Sequence, residues 1–194
     1  MSAPARREHL LDAAKALVAE AGFHGVSIEA VARRAGITRP IVYRHFDDLG
    51  TLLEALVERE TLRALAQLRG FLPADLGGDA REGLIAALRG YLHAVGSDPV
   101  TWRLVLVPPE GAPGLLGERI AAGRAAVVEQ LAAAMGPVAG SPDPELTARA
   151  LSAVADEAAR LVLADPGRYP PSRVLAHARW LLFEAPRQPS LGMP

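Results

Sequence analysis

No cysteine occurs among the 194 residues, which removes disulfide staples, thiolate nucleophiles and cysteine-based metal sites in one step. Long hydrophobic runs are missing too. The longest are broken by Arg, Gly or Pro well short of the roughly 18 residues that a membrane span needs, so no membrane partner is expected. Residues 1–7 lack the apolar segment of a secretory signal, and a cytosolic (cytoplasmic) location is the expectation. Alternation of period two, the mark of half-buried strands, does not extend over any useful length. The five histidines, His9, His24, His45, His93 and His177, show no ligand spacing, so no metal is expected. A P-loop, a dinucleotide-type glycine pattern and a nucleophile elbow are likewise missing; neither a cofactor nor enzymatic activity is expected. Asp156, Glu157 and Arg160 share one helix and read as a surface or interface ion pair rather than an acid/base pair.

Half of the residues are hydrophobic and 22% are charged, a composition that supports a packed core. Alanine, leucine and arginine, all good helix formers, are abundant, and the chain reads as all-α. The formal net charge is −1, but it is unevenly spread. Residues 1–46 hold seven cations and four anions, leaving −4 for the other 148 residues. A basic head precedes an acidic body.

Apolar residues at three- and four-residue steps (Leu10, Leu11, Ala14, Leu17, Val18, Ala21) predict a first helix from about Arg6 to Ala21, stopped by Gly22. Ser27 is placed to cap a second helix through Arg34 or Ala35. Gly36 supplies a tight turn, and Thr38 is placed to cap a third helix that runs to about His45 with Pro40 in its first turn. Asp48 caps a fourth helix of roughly 22 residues, on the order of 33 Å at about 1.5 Å per residue, long enough to connect two modules. A loop is expected from Leu72 to Asp79. Five more helices follow: one with Leu84, Leu88, Tyr91, Leu92 and Val95 on one face; one started by Asp98-Pro99 and ended by Pro108-Pro109; one from about Leu115 to Gly136; one from the Asp143-Pro144 cap to about Ala164; and one opened by Pro170-Pro171, with Val174, Leu175, Ala178, Leu181 and Leu182 on one face. The domains expected are 1–47, 48–186 and a frayed tail at 187–194.

The second and third helices, joined at Gly36, have the spacing of a helix-turn-helix, with small Ala32 where the helices touch and apolar Ile37 closing the angle. The third helix offers Thr38, Arg39, Tyr43, Arg44 and His45, each a hydrogen-bond donor or one on protonation. Phosphate oxygens only accept, and guanine presents two acceptors in the major groove, so these groups suit double-stranded DNA. The same pattern also describes a solvated polar face beside a core stripe.

Ser27 to Phe46, with Val31-Ala32, Ala35-Gly36-Ile37-Thr38 and Val42-Tyr43-Arg44-His45-Phe46, resembles the DNA-binding domain of the tetracycline-repressor (TetR) family of bacterial transcription regulators. The motif match runs from about Arg7 to Leu56. The resemblance implies that Ser27, Tyr43 and His45 hold phosphates, that Arg39, Pro40 and Arg44 face bases, and that Thr38 lies near either. Phe46 is read as structural, packing the third helix against the first and fourth. One position departs from the family pattern. A lysine that holds phosphate at the first turn of the fourth helix is replaced by Leu49, with Gly50 next and Asp47 and Asp48 adding negative charge. Loss of one phosphate contact should weaken binding and lower the salt slope by about one. Arg6 and Arg7 on a flexible arm are expected to compensate.

For the body, the resemblance implies a small-molecule pocket in helices five to seven and a homodimer formed by the last two. Tyr91, Trp102, Arg103, Leu106, Arg124 and Met135 are the ligand-binding candidates, since aromatic, sulfur and charged groups on aliphatic helices suit an apolar or anionic effector. A palindromic site read by a dimer, and release of a repressor by that effector, complete the expectation. The rival is a helical small-molecule-binding or catalytic protein whose DNA-binding head is vestigial, which draws on Leu49; a helical adaptor for a protein partner is a third reading.

Overall fold

A computed structural model describes residues 1–71, 79–107, 114–135 and 141–184, apart from the side chains of residues 114–117 and 119. Most of the loop expected at 72–79, the helix-ending prolines at 108 and 109, the stop at Gly136, the Leu115 and Leu116 side chains and the tail at 187–194 lie outside the described residues. Within them every regular element is helical. The helices are α1 (Ala3–Ala21), α2 (Ile28–Arg34), α3 (Arg39–Tyr43), α4 (Leu49–Phe71), α5 (Ala80–Ser97), α6 (Pro99–Leu106), α7 (Gly114–Met135), α8 (Pro144–Ala164) and α9 (Pro171–Arg179). A 3-10 turn at Phe23–Gly25 precedes α2, and a π turn at Trp180–Glu184 follows α9.

The caps explain where the helices begin. The Ser27 Oγ accepts from the Ala30 N–H at 3.1 Å, Asp48 from Thr51, Asp98 from Thr101 and Asp143 from Leu146, so four polar residues each satisfy a first-turn donor. α1 starts three residues ahead of the expected Arg6, because Ser2 accepts from the Ala5 N–H and Pro4 sits in the first turn. α3 is shorter than expected, ending at Tyr43 rather than about His45. The last helix keeps α-helical geometry only to Arg179, so Leu181 and Leu182 belong to the π turn and not to a continuous apolar face.

The chain divides into two compact units, Met1–Ala66 with Asp98–Ala126, and Gln67–Ser97 with Val127–Pro194. In the first, Leu10, Leu11 and Ala14 of α1, Ile28, Val31 and Ala32 of α2, Val42 and Phe46 at α3, and Leu52 and Leu56 of α4 form one buried cluster. Val57, Leu104 and Ile120 form a second, with Val18 and Phe23 packed against it. In the second unit α5 packs on α8 and α9, and Val128, Leu131, Ala134, Met135 and Ala148 form the core, flanked by Leu84 and Leu151.

Candidate nucleic-acid interface

The turn between α2 and α3 follows from one glycine. Gly36 adopts φ +66°, a left-handed backbone that side chains with a Cβ resist. Its N–H donates to the Arg33 carbonyl at 3.2 Å and the Ile37 N–H to the Ala32 carbonyl at 3.0 Å, the paired bonds of a Schellman stop. The chain therefore turns at once into α3. That helix has only five residues, too few to be stable alone, and tertiary anchors hold it: Val42 is fully buried and Phe46 is 1% exposed, packed against α1 and α4 as expected.

Burying Val42 and Phe46 turns the opposite side of this segment outward. Ser27, Thr38, Arg39, Pro40, Tyr43 and Arg44 are exposed, and His45 is half-buried. Thr38 occupies the cap position of α3, but its hydroxyl makes no cap bond to the first turn. The Ser27 hydroxyl accepts from Ala30 and keeps its own proton to donate. A short helix thus presents two guanidiniums, a phenol and a hydroxyl, with an imidazole at its exit. Such donors match phosphate oxygens and the acceptor edge of guanine.

The expected flexible arm is not seen. Arg6 and Arg7 lie in the first turns of α1, and the Arg7 guanidinium stacks 4.3 Å from the centre of the Phe46 ring while donating to the His45 carbonyl at 3.1 Å. At the start of α4, Asp48 accepts from the Thr51 N–H at 2.7 Å and its hydroxyl at 2.9 Å. These bonds, the backbone one first, hold its carboxyl below the usual range and keep negative charge beside half-buried Leu49.

A buried ionic hub behind this surface was not foreseen. Glu60 of α4 has no exposed surface, and its Oε2 takes a 2.9 Å bond from Lys15 of α1 and a close bond from the Thr101 hydroxyl of α6. Lys15 also reaches Asp98 Oδ2 and Thr101 Oγ1, both at 2.7 Å, so all three of its protons are used. Glu60 Oε1 pairs with Arg59 at 2.8 Å and Arg63 at 3.1 Å. Arg59 continues outward to Glu8 and Asp12 on α1. Burial pushes the Glu60 and Asp98 carboxyls up, but the bonds from Thr101 and Lys15, with the nearby positive charge, outweigh it and hold both below the usual carboxylate range. The sequence does carry a sign of this: Glu60 interrupts the apolar stripe of α4 midway between Leu56 and Ala64, and Lys15 is the only lysine.

The ligand-binding candidates divide between the units. Trp102, 1% exposed, Leu106, Arg103 and Arg124 belong to the first; Trp102 and Leu106 are buried and the two arginines exposed. Tyr91 and Met135 belong to the second. Tyr91 is buried and donates its hydroxyl proton to Asp156 at 2.9 Å, and Met135 lies in the core beside Ala148. Arg160 pairs with Glu157 at 3.1 Å. Among the described residues no group of three or more acidic or histidine side chains could hold a metal ion.

The sequence pattern of bacterial regulatory proteins of the tetR family matches residues 10–56, the stretch that holds α2, α3 and their turn. The likeness continues beyond that stretch: a TetR-like transcriptional regulator from Rhodococcus sp. RHA1 superposes with a TM-score of 0.71 at 26% identity, over 93% of this chain and 95% of that one. Residues 10–56 carry the DNA-binding pattern of that family. Among similar curated proteins, the HTH-type transcriptional activator FasR of Mycolicibacterium smegmatis is 29% identical over 100 residues, 52% of this chain and 45% of that protein. The regulator BetI of Serratia proteamaculans is 46% identical over 52 residues, 27% of this chain and 26% of its own. The chain thus spans less than half the length of these curated relatives. A complex of SmeT with triclosan superposes with a TM-score of 0.70 at 25% identity, covering 91% of each chain.

Proposed function

We propose that this protein is a dimeric DNA-binding transcription regulator, a repressor that leaves a palindromic operator when a small apolar or anionic effector binds. The observation that carries the reading is the division of the helix-turn-helix: Val42 and Phe46 inward, and Ser27, Thr38, Arg39, Pro40, Tyr43 and Arg44 outward. In this reading Arg39 and Arg44 contact guanine, with Pro40 against a base edge, while Ser27, Tyr43 and His45 grip phosphates and Thr38 serves either.

A dimer follows from reach. Two recognition helices about 34 Å apart address successive major grooves, whereas one five-residue helix has too few contacts. Exposed Leu146, Val154, Trp180, Leu181 and Phe183 supply apolar surface for that pairing. Effector contacts are proposed for each unit by itself, at Trp102, Arg103, Leu106 and Arg124 in the first and at Tyr91 and Met135 in the second. FasR is named an activator and SmeT a repressor of an efflux pump, so the sign of regulation is proposed from neither.

Fluorescence anisotropy with the duplex upstream of the protein's own gene tests the reading. Tighter binding to that duplex than to a scrambled one at physiological salt is the expected result. Equal affinity for both removes the sequence-specific role and leaves the rival, a helical binding protein with a vestigial head.

A further inference from the structure

We infer that Arg7 is a positioning residue for the recognition helix: it braces the exit of α3 and thereby sets where Tyr43, Arg44 and His45 meet DNA. The inference rests on the DNA-binding reading and extends it to a residue that faces away from the groove-reading side chains.

A helix this short leaves a large share of its backbone groups outside its own bonding. Its exit is closed by two bonds to one acceptor, the His45 and Phe46 N–H groups both donating to the Val42 carbonyl at 2.9 and 3.0 Å. The His45 carbonyl, one residue on, finds its donor in Arg7, 38 residues earlier. The same guanidinium lies over the ring of Phe46, the buried aromatic anchor of the segment, so one planar group contacts both the backbone and the ring. Two residues further along α1, a ring nitrogen of His9 lies 3.2 Å from the carbonyl of Ala35, where α2 ends. The start of α1 therefore holds the exits of both helices of the motif. Neither contact uses the outward face.

Lysine cannot take over this role, because an ammonium on a flexible stem does not stack on a ring and donate in the same plane. That distinguishes bracing from a direct phosphate contact, where the charge alone matters.

The test compares wild type with Arg7→Ala, Arg7→Met and Arg7→Lys. Duplex affinity is measured at several salt concentrations, and amide exchange of residues 39–46 is followed in the free protein. Bracing predicts roughly three- to tenfold weaker binding by all three variants at every salt concentration, with the slope of log affinity against log salt unchanged. It also predicts faster exchange at 39–46 while residues 10–14 stay protected. A slope lower by about one together with rescue by Arg7→Lys makes Arg7 a phosphate contact and overturns the inference. Wild-type affinity and exchange in Arg7→Ala and Arg7→Met overturn it as well. If wild type itself fails to prefer its own upstream duplex, the DNA-binding reading falls, and unchanged exchange at 39–46 would separately remove the brace. Arg7→Met keeps an apolar stem against Phe46, which guards against a variant that merely fails to fold.

Discussion

The two compact units solve the same problem, joining distant helices, by different chemistry. In the first, α1, α4 and α6 meet at a charge cluster: Lys15 reaches Glu60 and Asp98, which lie 45 and 83 residues further along the chain. In the second, alanine-rich helices approach through small side chains such as Ala134 and Ala148, and two of its ion pairs, Arg149–Glu145 and Arg160–Glu157, are local to α8. Tyr91–Asp156 and Arg179–Glu82 are among its longer-range polar ties. The buried hub demands that every member be present, since one carboxylate removed leaves buried cations uncompensated. The second unit spreads its cohesion over many weak contacts and leaves Val154, Trp180 and Leu181 open to solvent. A unit that must hold a short helix in one place gains from the first design; the second leaves its apolar surface available for the pairing proposed above.

The sharpest way to break this contrast is Glu60→Gln. Loss of the buried charge facing Lys15, Arg59 and Arg63 should cost about 3 kcal/mol, read from denaturant unfolding. Its pH dependence has a defined sign. Because the folded protein holds the Glu60 and Asp98 carboxyls below their ordinary range, it binds fewer protons than the unfolded chain, and the stabilisation is complete above the unfolded value of about 4. The gap in melting temperature between wild type and Glu60→Gln should therefore be constant from pH 6 to 8 and narrow as the pH falls below about 4. A gap that widens in acid would show that the hub does not act through its carboxylates.

Next in size are Arg39→Ala and Arg44→Ala, each expected to cost about 1–3 kcal/mol of discrimination between the operator and a scrambled duplex while the melt stays within about 0.5 kcal/mol. A large drop in stability would mean that these arginines serve the first unit rather than DNA. Ser27→Ala comes third. Loss of the α2 cap should lower stability by about 1 kcal/mol, and loss of the phosphate donor should weaken all duplexes alike without changing the salt slope, because serine carries no charge. The smallest effect belongs to Glu157→Gln in the second unit. This exposed pair on one helix face should contribute less than about 0.5 kcal/mol, and an effect as large as that of Glu60→Gln would erase the distinction between the units.

Much of the interface was legible because its causes are local. Ser27, Asp48, Asp98 and Asp143 cap helices through bonds that span three residues, and Gly36 turns the chain through bonds of similar reach, so a residue type at the right offset is sufficient evidence. The outward donors follow from the inward Val42 and Phe46. What escaped was anything requiring a distant partner. Read along the chain Arg7 belongs to a loose arm, but Phe46 and the His45 carbonyl, far along the sequence, hold it. The π turn at Trp180 replaced a helix that the apolar spacing of Leu181 and Leu182 had continued.

The helical class, the caps at Ser27, Asp48, Asp98 and Asp143, the turn at Gly36 and the identities of the outward donors were thus determined by sequence alone, since hydrogen bonds within a few residues and the 3.6-residue period settle them. Which helices share the Lys15–Glu60–Asp98 hub, and how the short recognition helix is braced, only the tertiary structure decided. Charges buried together lower their free energy through geometry at about 3 Å, and no spacing along the chain encodes that distance.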